Sequence, residues 1–211
     1  RDRKNNSSSF QVLFEGAGSK NGSNIIWTTD ENGIRTSHTG WITDAQAVSD
    51  GYESTFTKDL NNDGLMSGGS YYQLFGDNGA VTLRHSSNHV GWNDDTDASW
   101  DVTAAKNNSS SFQVLFEGAG SKDGSNIIWT TDENGIRTSH TSWITDAQAA
   151  SDGYENTFTR DLNNDGLISG GSYYQLLGDN GAVTLRHSSN HVGWNDDTDA
   201  SWDVTAAKNN C

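Results

Sequence analysis

Short runs of β-branched and aromatic residues recur along the chain and predict β-strands, because such side chains fit the pleated, half-buried surface of a sheet. The first six runs are Phe10–Glu15, Asn24–Asp30, Ile34–His38, Tyr71–Gly76, Ala80–Ser86 and Trp100–Ala105. Asn-Gly pairs at residues 32–33 and 78–79 separate neighbouring runs. Asn-Gly readily adopts the positive φ of a tight hairpin turn, so the pattern predicts a mainly β (α+β) protein.

A helical pattern separates the two groups of strands. Apolar residues recur there at spacings of three and four, which places them on one buried stripe: Ala45, Val48, Tyr52, Phe56 and Leu60. Thr43 and Gln46 match a capping box at the start of this stripe, although Gly51 weakens the helix by about 1 kcal/mol relative to Ala. The same pattern predicts a second helix from Thr145 to Leu162.

The chain is a tandem duplication with a period of 102 residues. Residues 4–105 (repeat 1) and 106–207 (repeat 2) align without a gap and differ at seven positions. Residues 208–211 begin a third copy, in which Cys211 replaces a serine. Units this similar are typical of a longer array. An engineered tandem, with Cys211 as a cloning or labelling residue, is the alternative.

Four consecutive strands across the junction between the repeats predict an antiparallel meander: Trp100–Ala105, Phe112–Glu117, Asn126–Asp132 and Ile136–His140. Each repeat would combine such a meander with one helix and a separate β-hairpin. The strand Trp202–Ala207 would then be a spare edge strand, and an edge strand must be covered. It would either pair with Phe10–Glu15 of the same chain, closing a monomer with pseudo-two-fold symmetry, or dock on the next molecule to give a head-to-tail fibre.

Each predicted helix leads into a segment that matches the first half of an EF-hand calcium loop, D-x-N-x-D-G. In such a loop, side-chain oxygens at positions one, three and five converge on a hard cation, glycine at six makes the sharp turn, and position seven supplies a backbone carbonyl. The candidate ligands are Asp59, Asn61, Asp63 and Leu65 in repeat 1 and Asp161, Asn163, Asp165 and Leu167 in repeat 2. These loops predict calcium as the cofactor, at about two ions per chain.

Position twelve departs from the EF-hand pattern, because Ser70 or Ser172 replaces the usual bidentate Glu. The remaining ligands would be waters, Ser67 or Ser169, or a carboxylate from another strand or copy. Such a site should bind weakly, on the order of 10⁻⁴–10⁻³ M, which suits extracellular calcium. The alternative is an Asn/Asp/Gly-rich turn that holds no ion.

A second acidic patch could hold another cation or lend the missing ligand, although a solvated acidic loop is the favoured interpretation. Its residues are Asp94, Asp95 and Asp97, near Asp101, and Asp196, Asp197 and Asp199, near Asp203. Repeat 1 carries 5 Lys/Arg against 13 Asp/Glu, a net charge of −8, repeat 2 carries −9, and the whole chain carries −15. A divalent cation would relieve this self-repulsion, whereas nucleic acid and anionic membranes are poor partners.

The sequence offers no motif for catalysis or for membrane insertion. It has no G-x-S-x-G or catalytic Cys–His pattern, its single Cys is terminal, and no apolar run approaches the ~18 residues of a membrane span. Any export signal would lie outside this sequence. His85 and His89 are four residues apart, but they follow a strand in a Ser/Asn-rich loop, so a transition-metal site is disfavoured.

Eight Trp residues supply large buriable side chains, and some of them could hold a ligand. Trp27 and Trp100 lie in strand patterns and are predicted to be core residues. The candidate platforms for stacking a sugar ring lie in Gly/Thr/Asn-rich segments and are Trp41, Trp92, Trp143 and Trp194. Otherwise these four residues pin the loops to the helix and sheet.

Several of these segments together resemble a known family. Ile26–Asp30, Gly40-Trp41 and the run from Gly51 to Gly64 are similar to the tryptophan-rich repeat of large cyanobacterial secreted or surface proteins, which ends in Phe-x-x-Asp-Leu-Asn-Gly-Asp-Gly, a dockerin- or EF-hand-like half loop. Residues 71–102 resemble the segment between repeats of those proteins. The resemblance implies an extracellular or cell-surface location and a calcium-dependent structural or adhesive role without catalytic residues. Asn62 and Asn164 stand where Gly is common in the family, outside the ligand positions.

The expected function is a non-catalytic, calcium-binding extracellular repeat module of a scaffold, surface layer, filament or adhesin. Its expected partners are other copies of the same repeat, through an array or head-to-tail strand pairing. Two alternatives stay open. One is a calcium-assisted, lectin-like module with glycans as partners, and the other is an engineered self-assembling tandem.

Overall fold

The computed structural model describes residues 9–66, 70–77, 79–93, 95–178, 181–186, 188, 193–194, 204 and 206–208. The chain divides into two compact units. Unit 1 comprises residues 1–62 and 66–69, and unit 2 comprises residues 63–65 and 70–211. The strands form antiparallel sheets and the helices are few and short, so the predicted mainly β class is confirmed.

Unit 1 is a small sheet followed by two short helices. Its elements are β1 (Phe10–Glu15), β2 (Ser23–Thr29), β3 (Arg35–His38), β4 (Ile42–Thr43), α1 (Asp44–Ser49) and α2 (Tyr52–Phe56). The strand order is β1-β2-β3, and β4 also pairs with β2. The Thr43 hydroxyl accepts a hydrogen bond from Gln46 N at 3.1 Å, which confirms the predicted N-cap. The other half of the capping box is absent, because the Gln46 side chain donates to Asp50 instead.

The hairpin of repeat 1 belongs to a three-stranded sheet. Its strands are β5 (Leu65–Met66), β6 (Gln73–Gly76) and β7 (Gly79–Thr82), in that order. The chain then continues through a loop to the central sheet of unit 2. In this loop Trp92 N donates to Leu83 O at 2.9 Å, and Arg84 forms a bridge with Gly91. These bonds fold the loop back along the end of the hairpin.

The central sheet of unit 2 has five strands. They are β8 (Trp100–Asn107), β9 (Ser111–Gly118), β10 (Ser125–Asp132), β11 (Arg137–His140) and β12 (Ile144–Thr145). The strand order β11-β10-β9-β8 matches the predicted meander, and β12 pairs with β10 as an additional strand that the sequence did not predict. The two repeats meet inside β8, so the sheet begins in repeat 1 and continues in repeat 2.

The single helix predicted from Thr145 to Leu162 is two short helices, α3 (Asp146–Ser151) and α4 (Tyr154–Phe158). Gly153 between them has φ +83°, and Thr159 after α4 has φ +54°. A residue in the left-handed region cannot continue a right-handed helix. The glycine therefore breaks the helix rather than only weakening it.

The hairpin of repeat 2 is also part of a three-stranded sheet, with β13 (Leu167–Ile168), β14 (Gln175–Gly178) and β15 (Gly181–Thr184) in that order. The predicted hairpin is therefore present and separate from the meander, but it gains a third strand that the sequence did not predict. Positions seven and eight of the candidate ion loop form the third strand, in which Leu167 lies opposite Leu176. The loop and the hairpin are thus one continuous element.

Two apolar layers cover the two faces of the central sheet of unit 2. The first layer contains Leu65, Leu74, Leu83, Trp92, Trp100, Val102, Phe112, Val114, Phe116 and Trp129. The second contains Ala104, Leu115, Ile128, Ala149, Phe158 and Leu162. Because alternate residues of β9 point to opposite faces, Val114 and Phe116 meet the β6–β7 hairpin, whereas Leu115 meets α3 and α4. We call this packing of one repeat's hairpin on the next repeat's sheet the joint.

The joint explains why the compact units do not coincide with residues 4–105 and 106–207. The hairpin of repeat 1 buries its apolar side chains in unit 2, so the boundary between the units falls near residue 62 rather than at residue 105. The predicted strand Trp202–Ala207 lies mostly outside the described residues. Its pairing with Phe10–Glu15 therefore stays a prediction.

Candidate ion loop and aromatic pocket

The turn from Asp161 to Leu167 is held by its own side chains. Asp161 Oδ1 accepts a hydrogen bond from Asp165 N at 3.1 Å, and Asp161 Oδ2 accepts one from Gly166 N at 2.7 Å. Asn163 Oδ1 also accepts from Asp165 N, at 3.0 Å. Because they share one donor, the oxygens of Asp161 and Asn163 face the same interior of the turn.

Asp165 completes this arrangement. Its Oδ2 accepts a hydrogen bond from Asn163 Nδ2 at 2.9 Å, and its Oδ1 accepts one from Leu167 N at 2.8 Å. The structure therefore brings together the three predicted side-chain ligands of repeat 2. Two carboxylates, one amide oxygen and the Leu167 carbonyl are the ligand types that calcium prefers. The same oxygens also accept backbone N–H groups, as in an Asx-type turn, so the turn has internal support as well.

Repeat 1 shows the corresponding bond at the end of its loop, where Asp63 Oδ1 accepts from Leu65 N at 2.8 Å. Asp59 and Asn61 belong to unit 1, whereas Asp63 and Leu65 belong to unit 2. In repeat 2, by contrast, every ligand position of the candidate ion loop lies in one unit.

The predicted additional ligands are only partly accounted for. The Ser169 hydroxyl donates to Glu155 Oε2 at 2.7 Å, so it is engaged in the packing of the loop. Ser172 is exposed, and Ser67 lies outside the described residues. Among the residues that the structure describes, no group of three or more His, Cys, Asp or Glu side chains is placed to hold a metal ion. Waters would have to complete the coordination of calcium, which needs about six to eight oxygens.

Glu155 is a buried carboxylate that the sequence analysis missed, and it closes the loop. It is fully buried. Its Oε1 accepts hydrogen bonds from Leu162 N (3.0 Å) and Asn163 N (3.4 Å), and its Oε2 accepts from Ser169 N (2.9 Å) as well as from the Ser169 hydroxyl. One side chain thus links the beginning and the end of the loop. The signal in the sequence for a buried Glu155 was Gly153, two residues earlier. This glycine breaks the helix, and the change of direction turns Glu155 inward.

Each loop is docked on the last residue of its own repeat, Ala105 in β8 or Ala207. In unit 2, Ala105 N in β8 donates to Asp63 O at 2.7 Å. Gly64 has φ +79°, and a Cβ there would lie 1.9 Å from Ala105 O, so only glycine fits. The second loop repeats this contact: Ala207 N donates to Asp165 O at 2.7 Å, and the Gly166 Cα faces Ala207 O in the same way. Each loop therefore contacts the last residue of its own repeat, next to the point where the following copy begins.

The predicted second acidic site is described only in part. Asp94, Asp196, Asp197 and Asp199 lie outside the described residues. Asp95 is exposed to solvent. The pKa of Asp97 is lowered, mainly because the backbone N–H of Ser99 donates to its carboxylate at 3.0 Å, with a smaller contribution from Lys122. Asp97 is thus a turn-capping carboxylate in this structure.

The predicted Trp platforms differ in exposure. Trp41 and Trp143 are 55% and 60% exposed, and each ring carries a lysine: Lys20 Nζ lies 3.9 Å from the Trp41 centroid, and Lys122 Nζ lies 4.7 Å from the Trp143 centroid. Trp194 is partly buried. Trp92 is buried, which fits the alternative in which it pins its loop to the sheet. The cause is the folded-back loop, which inserts this ring edge-on against Phe116 and Trp129 at centroid distances of 5.3 and 4.9 Å.

Trp92 instead lines a cavity of about 170 Å³ in unit 2. The apolar lining consists of Trp92, Trp100, Phe116, Ile127 and Trp129, and the polar lining consists of His85, Asp97, Arg137 and His140. We call this cavity the aromatic pocket. Its residues come from the loop and the start of β8 in repeat 1 and from β9, β10 and β11 of repeat 2, so the joint creates it.

Positive charge lies on one side of the aromatic pocket. The Arg137 guanidinium lies 4.6 Å from the Trp129 ring centroid and donates to the Ser86 hydroxyl at 3.0 Å. His85 packs edge-on against Trp129, at a centroid distance of 5.8 Å. Burial lowers the pKa of His85, and the nearby Arg137 and His140 lower it further, so His85 is neutral at pH 7. His85 Nδ1 contacts the Ser87 hydroxyl at 2.9 Å, and the absence of a His85–His89 metal site stays a prediction.

Comparison with known proteins gives no match: no family model, no curated protein and no solved structure is similar to this chain. No helix in the described part of the chain has the length and apolar character needed to cross a membrane.

Proposed function

We propose that this chain is a structural repeat module that assembles by forming the same joint between chains that it forms within unit 2. The loops from Asp59 and from Asp161 would bind calcium beside these joints. In this proposal the protein is non-catalytic and works outside the cell as part of a scaffold, surface layer or adhesin. The resemblance to the tryptophan-rich repeats supports the location and the role.

One observation carries the proposal: the same hexapeptide, FQVLFE, is buried in unit 2 and exposed in unit 1. In β9, Phe112, Val114 and Phe116 are 3%, 0% and 1% exposed beneath the β6–β7 hairpin. In β1, Phe10, Val12 and Phe14 are 54%, 37% and 42% exposed. Exposed contiguous apolar patches mark interaction sites in soluble proteins. The β1 face is therefore a docking surface for a hairpin.

The complementary surface lies on the same chain. The β14–β15 hairpin matches β6–β7 in sequence except that Leu177 replaces Phe75. In it, Val183, the counterpart of Val81 in the joint, is 57% exposed. The hairpin of one chain and the β1 face of another therefore carry the two halves of a contact whose sequences already pack together in unit 2. A heterologous contact of this kind extends head to tail.

The expected affinity is modest. Fully burying a Phe or Val side chain contributes about 1.5–3 kcal/mol, and the three β1 side chains together have about half of their surface left to bury, so this face adds roughly 2–4 kcal/mol. The hairpin contributes on a similar scale. Association opposes this with about 4–15 kcal/mol of lost translational and rotational freedom. The two faces together offset only the lower end of this cost, so we expect a dissociation constant of about 1 mM for a single joint, which suits assembly of long, multivalent chains.

Calcium would strengthen the joint for two reasons. The first loop bonds through Asp63 O to Ala105 in β8, which begins the central sheet of unit 2, and the second bonds through Asp165 O to Ala207, so fixing a loop also fixes the end of its repeat. The ion would also offset the net charge of −15, which opposes the approach of one copy to another.

The test is sedimentation analysis at concentrations from about 10 µM to 1 mM, with calcium, with EDTA and always with reductant to exclude Cys211 disulfides. The native chain should form concentration-dependent oligomers. Val12→Glu should block the β1 face and Val183→Glu the hairpin, so each variant alone should be monomeric, while a mixture of the two should stop at dimers. Gln11→Glu is the matched control, because it adds the same charge to the same strand on the opposite face.

Two results would contradict the proposal. One is a native chain that stays monomeric across the whole concentration range. A monomer closed by strand pairing within the chain, which Val12→Glu would open without changing its mass, counts as this result. The other is an oligomer that Val12→Glu and Gln11→Glu affect equally.

A further inference from the structure

We propose that the aromatic pocket is a binding site for a single sugar ring. This inference rests on the joint inside unit 2, and it depends neither on assembly between chains nor on calcium. The cavity of about 170 Å³ is smaller than the ~300–1,000 Å³ typical of sites for drug-sized ligands, so it suits one six-membered ring rather than an extended chain.

The apolar lining favours a ligand with flat, C–H-rich faces. Trp92, Trp100, Phe116 and Trp129 are each 8% exposed or less, yet all four border the cavity. A pyranose has two faces of C–H groups and a polar edge of hydroxyls. Aromatic rings cover such faces while polar groups at the rim reach the edge.

Three polar groups define what the edge of the ligand must carry. The Trp92 Nε1–H has no hydrogen-bond partner in the described part of the chain and is covered by neighbouring atoms, so a ligand acceptor would reach it after a small shift of the ring. The partly exposed Asp97 carboxylate, which already accepts from Ser99 N, can accept from a further donor, and the Arg137 guanidinium offers a donor. A hydroxyl group is both donor and acceptor. A ring with several hydroxyls therefore satisfies all three groups together.

Two other ligand classes satisfy fewer of these groups. An organic cation would gain from the aromatic faces. It would leave the Trp92 N–H without an acceptor, however, and would approach Arg137 and Lys122, which already lie over the rings of Trp129 and Trp100 at 4.6 and 4.8 Å. A simple carboxylate would suit Arg137 but would face the Asp97 carboxylate. The charges thus favour a hydroxylated ring, neutral or carrying one acidic group beside its hydroxyls.

Unit 1 contains half of the same lining and so provides an internal control. Arg35 lies 4.8 Å from the ring centroid of Trp27, and Trp27 packs on Phe14 at 4.5 Å, as Trp129 packs on Phe116 at 4.4 Å. Trp92 and Asp97 come instead from the loop that the joint places over the sheet of unit 2. Substitutions in the sheet of unit 2 should therefore affect binding, and the matching substitutions in the sheet of unit 1 should not.

The experiment is a titration of the whole chain, followed by tryptophan fluorescence and calorimetry, with glucose, galactose, N-acetylglucosamine and glucuronate. Tetramethylammonium and acetate serve as probes for a cation site and an anion site. We expect saturable binding of at least one of the sugars in EDTA as well as in calcium. Trp92→Phe, which keeps an aromatic ring but removes the N–H, and Asp97→Asn should each weaken it roughly tenfold or more.

Arg137→Lys should weaken sugar binding, whereas Arg35→Lys should leave it unchanged. Thermal melts of all four variants establish that each is folded. The proposal is overturned if no sugar binds saturably, if only tetramethylammonium or only acetate binds, or if Arg35→Lys and Arg137→Lys have equal effects. Because binding is measured in monomeric Val183→Glu as well, a failure here is distinguishable from a failure of head-to-tail assembly.

Discussion

Replacing Glu155 by Gln removes a charged acceptor from the interior of unit 2 and keeps the size of the side chain. Glu155 accepts four hydrogen bonds, two on each carboxylate oxygen. A Gln has only one oxygen, so its NH₂ group must face two of these donors. The loop that carries the candidate calcium ligands should then lose one of its two attachments.

The size of the effect depends on which hydrogen-bond donors lose their acceptor. If the NH₂ group faces Ser169, the Ser169 hydroxyl can turn to Ala150 O at 3.2 Å, but the Ser169 N–H keeps no acceptor. If it faces the other end, the N–H groups of Leu162 and Asn163 lose theirs. Each buried, unsatisfied donor costs about 1–3 kcal/mol, so we expect a loss of roughly 2–4 kcal/mol in the free energy of unfolding. The melting temperature should fall by about 5–15 °C.

The assay is urea and thermal unfolding in EDTA, with Glu133→Gln as the control. Glu133 is exposed in a turn, so its substitution removes the same charge and should change the free energy of unfolding by less than about 0.5 kcal/mol. A Glu155→Gln variant as stable as this control would refute the reasoning. So would a loss that appears only in calcium, because the carboxylate would then act through the ion rather than through the backbone.

Two further predictions concern the ion and the pH. At about 10 mM calcium, an affinity on the order of 10⁻⁴–10⁻³ M stabilises each site by roughly 1.4–2.7 kcal/mol, so EDTA should lower the melting temperature, and Asp59→Ala with Asp161→Ala should abolish the difference. A melt that EDTA leaves unchanged contradicts the calcium proposal. Burial lowers the pKa of His85 in the folded chain below its ordinary 6.5. Between the folded-state pKa and 6.5, the unfolded chain therefore binds more protons than the folded chain does. Stability should therefore fall as the pH drops below about 6.5, and His85→Gln should flatten this part of the profile in thermal melts.

The sequence predicts the local elements well because they depend on neighbouring residues. The Phe112–Glu117 run, the Asn-Gly turns and the Thr43 cap all gave the correct elements. The helix prediction failed at Gly153 because an apolar stripe at helical spacing continues through the break. Periodicity records which side chains are buried, and α3 and α4 bury their side chains on the same layer although a left-handed residue separates them.

The pocket could not be predicted, because its residues are brought together by the joint. Trp92 and Asp97 lie in one repeat and Trp129 and Arg137 in the next. Nothing in the spacing of these residues indicates that a loop will fold over a sheet that begins after it. The same reasoning explains Trp92, whose Gly- and Asn-rich neighbours suggest exposure whereas the folded-back loop buries it.

The two copies of FQVLFE show what the joint contributes. Their sequences are identical, and each forms a strand paired in the same way with the following strand, yet only β9 is covered. The burial of this strand is therefore decided by a neighbouring hairpin and not by its own sequence. In a repeat protein the total stability is approximately the sum of each repeat and its interfaces with its neighbours. Here that interface also positions a candidate ion loop and completes the aromatic pocket. Every joint added to an array would therefore add interface stability, an ion loop and a pocket together.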